Sequence, residues 1–318
     1  MTVAARPLRV TDLPVLALHN NAAYPNQAVT LDRCDHPADV HKSVWRLLDG
    51  GLLPFRTRRI WIGRRGMTLI GFASVRPRSG HFAWEIDTLL STANADAYVL
   101  DLLDRAVAAA GAEGAGRLFL RVRADSPLLA AARQHGFTVV SEETRFHAPV
   151  PPRVEAPPPG GRHRTRADDL AIFRLYVQAV PQEVRWHTAL SPLEWRAAEE
   201  PLGGPARDWV LPAANDSGLC ALVRLAADTS DTRATLLTEG TPESARRALA
   251  TALALAPRRN HFHLLLPAYA VCEATAAVEA GLEPAESFVL LVRPIAQRAR
   301  RLHLAEHALE GSVRPVLQ

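Results

Sequence analysis

Trp84-Glu85-Ile86-Asp87-Thr88-Leu89-Leu90 is the stretch on which the reading of this chain turns. It has the pattern of a strand, and Asp96-Ala97-Tyr98-Val99-Leu100-Asp101 soon leads into a helical stretch from Tyr98 to Ala110. No glycine stands between the two. Outward from this unit, period predicts helices over 12–23 and 38–49, strand Ile60 to Gly63, a turn at Arg64-Arg65-Gly66, and strands Thr68 to Arg76 and His81 to Leu90. After the 98–110 helix come strand 117–123, helix 126–135 and strand 137–147.

Pro149-Val150-Pro151-Pro152 and Pro157-Pro158-Pro159-Gly160-Gly161 form neither helix nor central strand and read as a linker. They divide the chain into 1–149, a seam at 150–162, and 163–318. Two units also fit the length of 318 residues, at about 150 residues per domain. Beyond the seam the pattern repeats: strands 207–212, 218–226 and 232–238, helix 242–255, strand 261–266, helix 271–280 and strand 285–293. Arg9-Val10-Thr11-Asp12-Leu13 and Arg166-Ala167-Asp168-Asp169-Leu170 open corresponding helices, with Asp12 and Asp169 placed to cap the first turn. Gly136-Phe137 corresponds to Gly281-Leu282. A last helix, Ile295 to Leu309, is basic at Arg298, Arg300 and Arg301, and is expected to pack across an existing domain. The expected fold class is α/β, with a mixed sheet in each of two similar domains.

This order, with Arg9-x-x-Asp12-Leu13, Ile70-Gly71-Phe72-Ala73, Glu85-Ile86-Asp87-x-Leu89 and the run from Ala124-Asp125-Ser126-Pro127 to Gly136-Phe137, resembles the GNAT superfamily of N-acetyltransferases. The resemblance covers most of 6–147 and, more faintly, 163–293. It implies an acetyl-CoA co-substrate in a notch between the fourth and fifth strands, beside Leu89, Leu90, Ser91 and Thr92. The pyrophosphate would rest on N–H groups where the next helix begins, near Ala97 and Tyr98. The family's Arg-Gly-x-Gly-x-Gly/Ala loop is replaced here: Asp96 stands for the arginine, and Ala97 and Val99 for glycines. A carboxylate there repels a pyrophosphate by on the order of 1 kcal/mol. In the second half Thr241-Pro242-Glu243 caps the matching helix.

Glu85 matches the family's carboxylate base, which would take the proton of an amine acceptor. A strand carboxylate paired with Arg76 is the alternative. The second half has Thr232 at the corresponding place, so catalysis is expected in the first half. The family's asparagine and tyrosine positions hold Asp125 and Ala132, and Ala270 and Ala277 in the second half. Asp125, His135 or water is left to protonate the departing thiolate.

Other groups carry weaker signals. Cys34-Asp35-His36 with His41 fits no standard metal spacing, and no metal is expected. His261 and His263 alternate on a strand and share a face. Arg185-Trp186-His187-Thr188 and Trp195 fall where this fold covers its acceptor pocket, or pack between the domains. The three cysteines, Cys34, Cys220 and Cys272, form no disulfide framework. The pI of 9.3 comes with a formal charge of only +4, and Lys42 is the one lysine. Nucleic acid is therefore not an expected partner, and Arg56, Arg58, Arg59, Arg64 and Arg65 make either an anion-facing hairpin or a charged edge. With no apolar leader or membrane-length run, a cytoplasmic protein, monomer or homodimer, is expected.

The leading functional reading is acyl-CoA-dependent N-acyl transfer to a primary amine of a small molecule or peptide, in the first half. A catalytically inactive ligand-binding or protein-interaction module, and an acyltransferase with a donor other than CoA, remain as alternatives.

Overall fold

The structure, a computed structural model, describes residues 5–17, 26–35, 58–91, 96–154, 160–213 and 218–296. In the first half β1 (Arg6–Pro7) enters α1 (Leu13–Ala17) through a tight turn at Val10–Asp12. There follow β2 (Arg59–Arg65), β3 (Thr68–Pro77), β4 (Ala83–Ser91), α2 (Asp96–Ala112), β5 (Arg117–Arg123), α3 (Leu128–Gln134) and β6 (Thr138–Ala148). The second half holds β7 (Arg162–His163), α4 (Asp169–Ala179), α5 (Gln182–Thr188), α6 (Pro192–Ala198), β8 (Ala206–Pro212) and β9 (Leu219–Ala227). It ends with β10 (Asp231–Thr238), α7 (Pro242–Leu255), β11 (His261–Pro267), α8 (Val271–Glu279) and β12 (Glu283–Pro294). The helix expected over 38–49 and most of the terminal helix lie outside the described residues, as does 18–23 of the first helix; Ile295 and Ala296 are not helical.

The strands of the described residues join one mixed sheet in the order β1-β2-β3-β4-β5-β12-β6-β11-β10-β9-β8-β7. Each half thus resembles the other, but the last strands are exchanged. β12 pairs antiparallel with β5 of the first half along Phe288–Pro294, and β6 pairs antiparallel with β11 of the second. β12 and β6 also pair with each other at the centre. Burying Phe288, Val289, Leu290, Leu291 and Val292 of β12 is worth about 10 kcal/mol before chain entropy is set against it.

Helix caps explain the repeated motifs. Gly136 and Gly281 have φ of +76° and +86°, where a side chain would strain the backbone. Each is followed by an N–H that closes back on the helix, Phe137 to the Ala132 carbonyl and Leu282 to that of Ala277, both at 2.9–3.1 Å. At the start of the second half the match to the first differs by one from the sequence alignment. Asp12 takes a bidentate pair from Arg6 at 2.6 and 2.8 Å, and Asp168, not Asp169, takes the same pair from Arg162. Asp168 also accepts from the Thr165 N–H at 2.7 Å, as Asp12 does from Arg9 at 2.9 Å. Asp169 is bound instead by Arg164 and Arg196.

One core lies between the first-half strands and α2 and α3, and another between the second-half strands and α7 and α8. On the opposite face α4–α6 reach across both halves: Ile172, Tyr176 and Trp195 pack with Ala83, Phe119 and Leu290. The segment 29–34 does the reverse, with Val29, Leu31 and Cys34 against Ala226, Leu265 and Phe288. Residues 1–149 and 163–318 expressed separately should each lack a cooperative urea transition, because β5 and β11 would be left as bare edges. Co-expression should restore one transition and a 1:1 complex by size exclusion; a first half that unfolds cooperatively alone would contradict this.

Candidate functional site

β4 and β5 run parallel in register only from Ala83/Arg117 to Glu85/Phe119, and then diverge. A register shift against β3, from Ser74/Thr88 to Val75/Ile86, leaves Asp87 as the extra residue. Into the opening runs the chain itself. The Gln27 N–H donates to the Leu89 carbonyl at 2.9 Å and the Val29 N–H to the Arg121 carbonyl at 2.8 Å. Asn26 Oδ1 accepts the Leu89 N–H at 2.9 Å. Both polar groups of the Leu89 backbone are therefore used. Leu89 and Leu90 are buried, Ser91 ends β4, and Thr92 lies outside the described residues. Ala97 and Tyr98 do open α2, but Tyr98 is wedged against β2 and β3. A Cβ added at Gly63 would stand 1.9 Å from its hydroxyl oxygen, and one added at Gly71 2.5 Å from its ring.

Glu85 and Asp125 do not converge. Glu85 is buried and accepts from Arg76 Nε at 2.7 Å and Arg78 Nε at 3.1 Å. Asp125 is exposed and pairs with Arg123 at 3.0 Å. Along β5, Arg123 lies four residues beyond the Glu85 partner Phe119, roughly 13 Å at strand rise. His135 faces Asp104 at 3.2 Å. Glu85 belongs to a buried network in which Arg76 also binds Asp32, Arg78 binds Glu200, and Arg121 binds both Glu143 and Glu200. Burial pushes the Glu200 carboxyl up, and the Arg121 and Arg78 charges outweigh it, leaving it at about 2.

A cavity of ≈ 220 Å³ lies between α4–α6 and the sheet. Its apolar walls include Tyr176, Val184 and Trp195 from the helices and Phe119, Val140 and Leu290 from the strands; Arg78, Arg121, Glu143, Glu199 and Glu200 supply charge. Thr188 and Trp195 line it, Trp195 also packs in the core shared by the two halves, and Trp186 is exposed. The cavity meets the second half's own notch. β10 and β11 pair from Asp231/His261 to Ala234/Leu264, and Thr235, Leu236, Leu265 and Pro267 just beyond line the opening. Tyr269 stands at this rim, with its phenol pushed up by burial and by the charge of Glu143. Sequence reasoning missed it: the family's tyrosine position is Ala277, while Tyr269 is held in the turn after β11 by the Ala268 N–H on the Glu142 carbonyl at 2.8 Å. The register places Arg233, paired with Asp35 and Asp228, level with Glu85 of the first half, so the place taken from sequence as Thr232 moves by one.

The start of α7 is closed to an anion. Thr241 and Ser244 cap each other's N–H groups at 3.2–3.3 Å, the Gly240 N–H goes to Thr238, and Glu243 adds negative charge. Asp35, Asp231 and His263 bring ligand-type atoms within 4.8 Å, but the His263 ring is already used. Its Nδ1 accepts from Arg145 at 2.7 Å and its Nε2–H donates to Asp231 at 3.0 Å. Arg145 and Arg233 supply the positive charge that a cation would bring. The Cys34 thiol is pushed up to about 12 by burial and stays protonated; His36 and His41 lie outside the described residues. His261 stacks with His147, which also stacks with His263. In the arginine-rich hairpin, Arg58 binds Asp87, Arg59 binds Glu113 and Arg64 binds Asp12. No helix among the described residues is long and apolar enough to cross a membrane.

No family model and no curated protein matches the sequence. Solved structures do match the fold. A GCN5-related N-acetyltransferase from Sphaerobacter thermophilus aligns over 92% of this chain and 95% of its own, with a TM-score of 0.53 and 14% identity. The N-myristoyltransferase of Saccharomyces cerevisiae, solved with myristoyl-CoA, aligns over 92% of this chain and 83% of its own, with a TM-score of 0.51 and 10% identity. The chain has the GNAT fold, built as two GNAT-like units in tandem.

Glu85→Gln, which leaves Arg76 and Arg78 short of a buried counter-charge, should lower stability by about 3 kcal/mol in urea at neutral pH. An unchanged midpoint would mean that Glu85 is held for another purpose. Burial and the Arg145 charge keep His263 neutral, near 4 against 6.5. The unfolded chain therefore takes up the proton first, so stability should fall as pH drops from about 6.5 towards 4. His263→Gln should flatten that slope in a pH series of melting temperatures.

Proposed function

We propose that this chain is an acyltransferase of the GNAT kind whose reaction chamber is the cavity at the second notch. The acyl thioester would enter between Thr235–Leu236 and Leu265–Pro267, with the amine acceptor beneath Tyr176, Val184 and Trp195. The observation that carries this reading is the meeting of an open notch, a part-apolar cavity and the Tyr269 phenol at one rim. The sequence favoured the first half; its notch is filled by Asn26–Thr30, and its candidate Glu85 is bound by two arginines.

The acceptor reacts as a neutral amine. Its nitrogen attacks the thioester carbonyl, the C–N bond forms and the C–S bond breaks. Tyr269 gives its proton to the departing thiolate, and the proton lost from the amine returns to the phenolate through solvent. A raised phenol pKa keeps that proton in place until the thiolate forms. Acetyl-CoA is the first donor to try, and acyl transfer to a primary amine of a small molecule or peptide is the reaction proposed.

One observation favours a variant of this reading. The capped start of α7 offers a pyrophosphate few free N–H groups, which suits an acyl group presented by a carrier other than free CoA.

Acetyl-CoA consumption with small amines and amino-terminal peptides tests the proposal. Tyr269→Phe should lower kcat by about 100-fold and leave the donor KM within about twofold, because only the proton is removed. Equal rates in the two proteins would remove Tyr269 from the chemistry. Wild-type consumption at the no-protein level, for both acetyl-CoA and carrier-bound acetyl donors and with no binding of either, would leave a ligand-binding or interaction module instead.

A further inference from the structure

The helix start of the first half carries no phosphate-cradling glycines, and the notch beside it is full. Where parallel strands diverge, the inner N–H and C=O groups lose their partners and must find others. In the first half they find them in the chain. Leu89 is paired through both backbone groups to Asn26 and Gln27, and the Arg121 carbonyl to the Val29 N–H. Asn26 braces the segment by bonding both the N–H and the carbonyl of Ala28, at 3.2 and 2.7 Å. Ala28, Val29, Thr30 and Leu31 are each at most 4% exposed.

The segment is anchored on both sides. Ser126, just past β5, donates to Gln27 Oε1 at 3.1 Å. Further on, Asp32 is clamped by Arg76 at 2.8 and 3.1 Å and lies against Gly203, where an added Cβ would come within 2.7 Å. Arg33 binds Thr30 Oγ1 at 3.1 Å, and Asp35 binds Arg233 of β10. Leu31, between these anchors, lines the cavity.

We propose that Asn26–Thr30 is a built-in occupant of the first-half notch. It lies where a donor's arm would run, so that this half is closed to acyl donors and the chain holds at most one. The same segment, through Leu31, forms part of the wall of the second-half chamber. The closure stands on the hydrogen bonds alone; the single donor in the second half rests on the function proposed above. Once the notch is filled from within, a pyrophosphate cradle at the start of α2 has no ligand to hold, which accounts for the missing glycines.

Residue-resolved amide hydrogen exchange on the full chain tests this, with acetyl-CoA as the probe. The Gln27 and Val29 amides should exchange as slowly as those in the middle of β5, and saturating acetyl-CoA should leave them unchanged. Gln27→Pro removes the N–H given to Leu89, whereas Gln27→Ala keeps it. Protection at Val29 should fall by at least about 100-fold in the first and hold in the second. Fast exchange at Gln27 and Val29 in the wild type, release of their protection by acetyl-CoA, two acetyl-CoA molecules per chain, or equal protection in the two variants would overturn the proposal. If Gln27→Pro does not fold, the wild-type exchange with and without acetyl-CoA decides alone. Failure of acetyl-CoA to bind anywhere would count against free CoA as the donor of the proposed acyltransferase, while slow exchange at Gln27 and Val29 would still support the occupant.

Discussion

Backbone pairing between β12 and β6 holds the molecule together, because it is the join through which each half receives its missing strand. β5 needs an antiparallel neighbour and finds it in β12; β11 needs one and finds it in β6. An unpaired central strand would expose a row of N–H and C=O groups, and exchange of the two ends removes both edges at once. The cover on the outer face follows from the same exchange. Helices α4–α6 of the second half lie over Phe119 and Leu290, and residues 29–34 of the first lie over Leu265 and Phe288. The cavity is the space left between these reciprocal covers.

Arginine–carboxylate pairs fix how the halves meet. Arg121 on β5 binds Glu143 on β6 and Glu200 from the second half, and Arg78 joins Glu85 to Glu200. Buried pairs of this kind add little net stability over apolar packing, but breaking one leaves a charge with no solvent and no partner. They therefore penalise other registers between the halves. A planar guanidinium can serve two carboxylates in one geometry, which an ammonium cannot do as well, and lysine is almost absent from this chain.

The two notches show how one fold can diverge within a single chain. In the first, the chain supplies the hydrogen bonds of an occupant, and Tyr98 fills the hollow left by Gly63 and Gly71. In the second, strand divergence opens into a cavity with a phenol at its rim, while the helix start closes on itself through Thr241 and Ser244. Neither helix start follows the glycine-rich pattern of a phosphate loop. The notches differ because only the first lies beside a stretch of chain that enters it.

The sequence by itself determined the strands β2–β6 and β8–β12 and their order, though not the short helices α5 and α6 or the edge strands β1 and β7. The bounds of β5 (117–123) and α7 (242–255) agree with the pattern because Gly116 and the Thr241-Pro242 cap set hard limits on either run. It also determined that a helix must end at Gly136 and Gly281, since only glycine adopts those backbone angles without strain. The choice between Asp168 and Asp169 was left to the structure, because two adjacent carboxylates look alike until Arg162 selects the buried one. Only the tertiary structure decided that β12 and β6 change places, that Glu85 is bound by two arginines, that Asn26–Thr30 enters a notch, and that Tyr269 faces a cavity. Period along a chain reports which face of an element is apolar. It carries no record of which backbone edge comes alongside, or of which distant residue brings the opposite charge, and at this site both were settled by contacts between residues far apart in sequence.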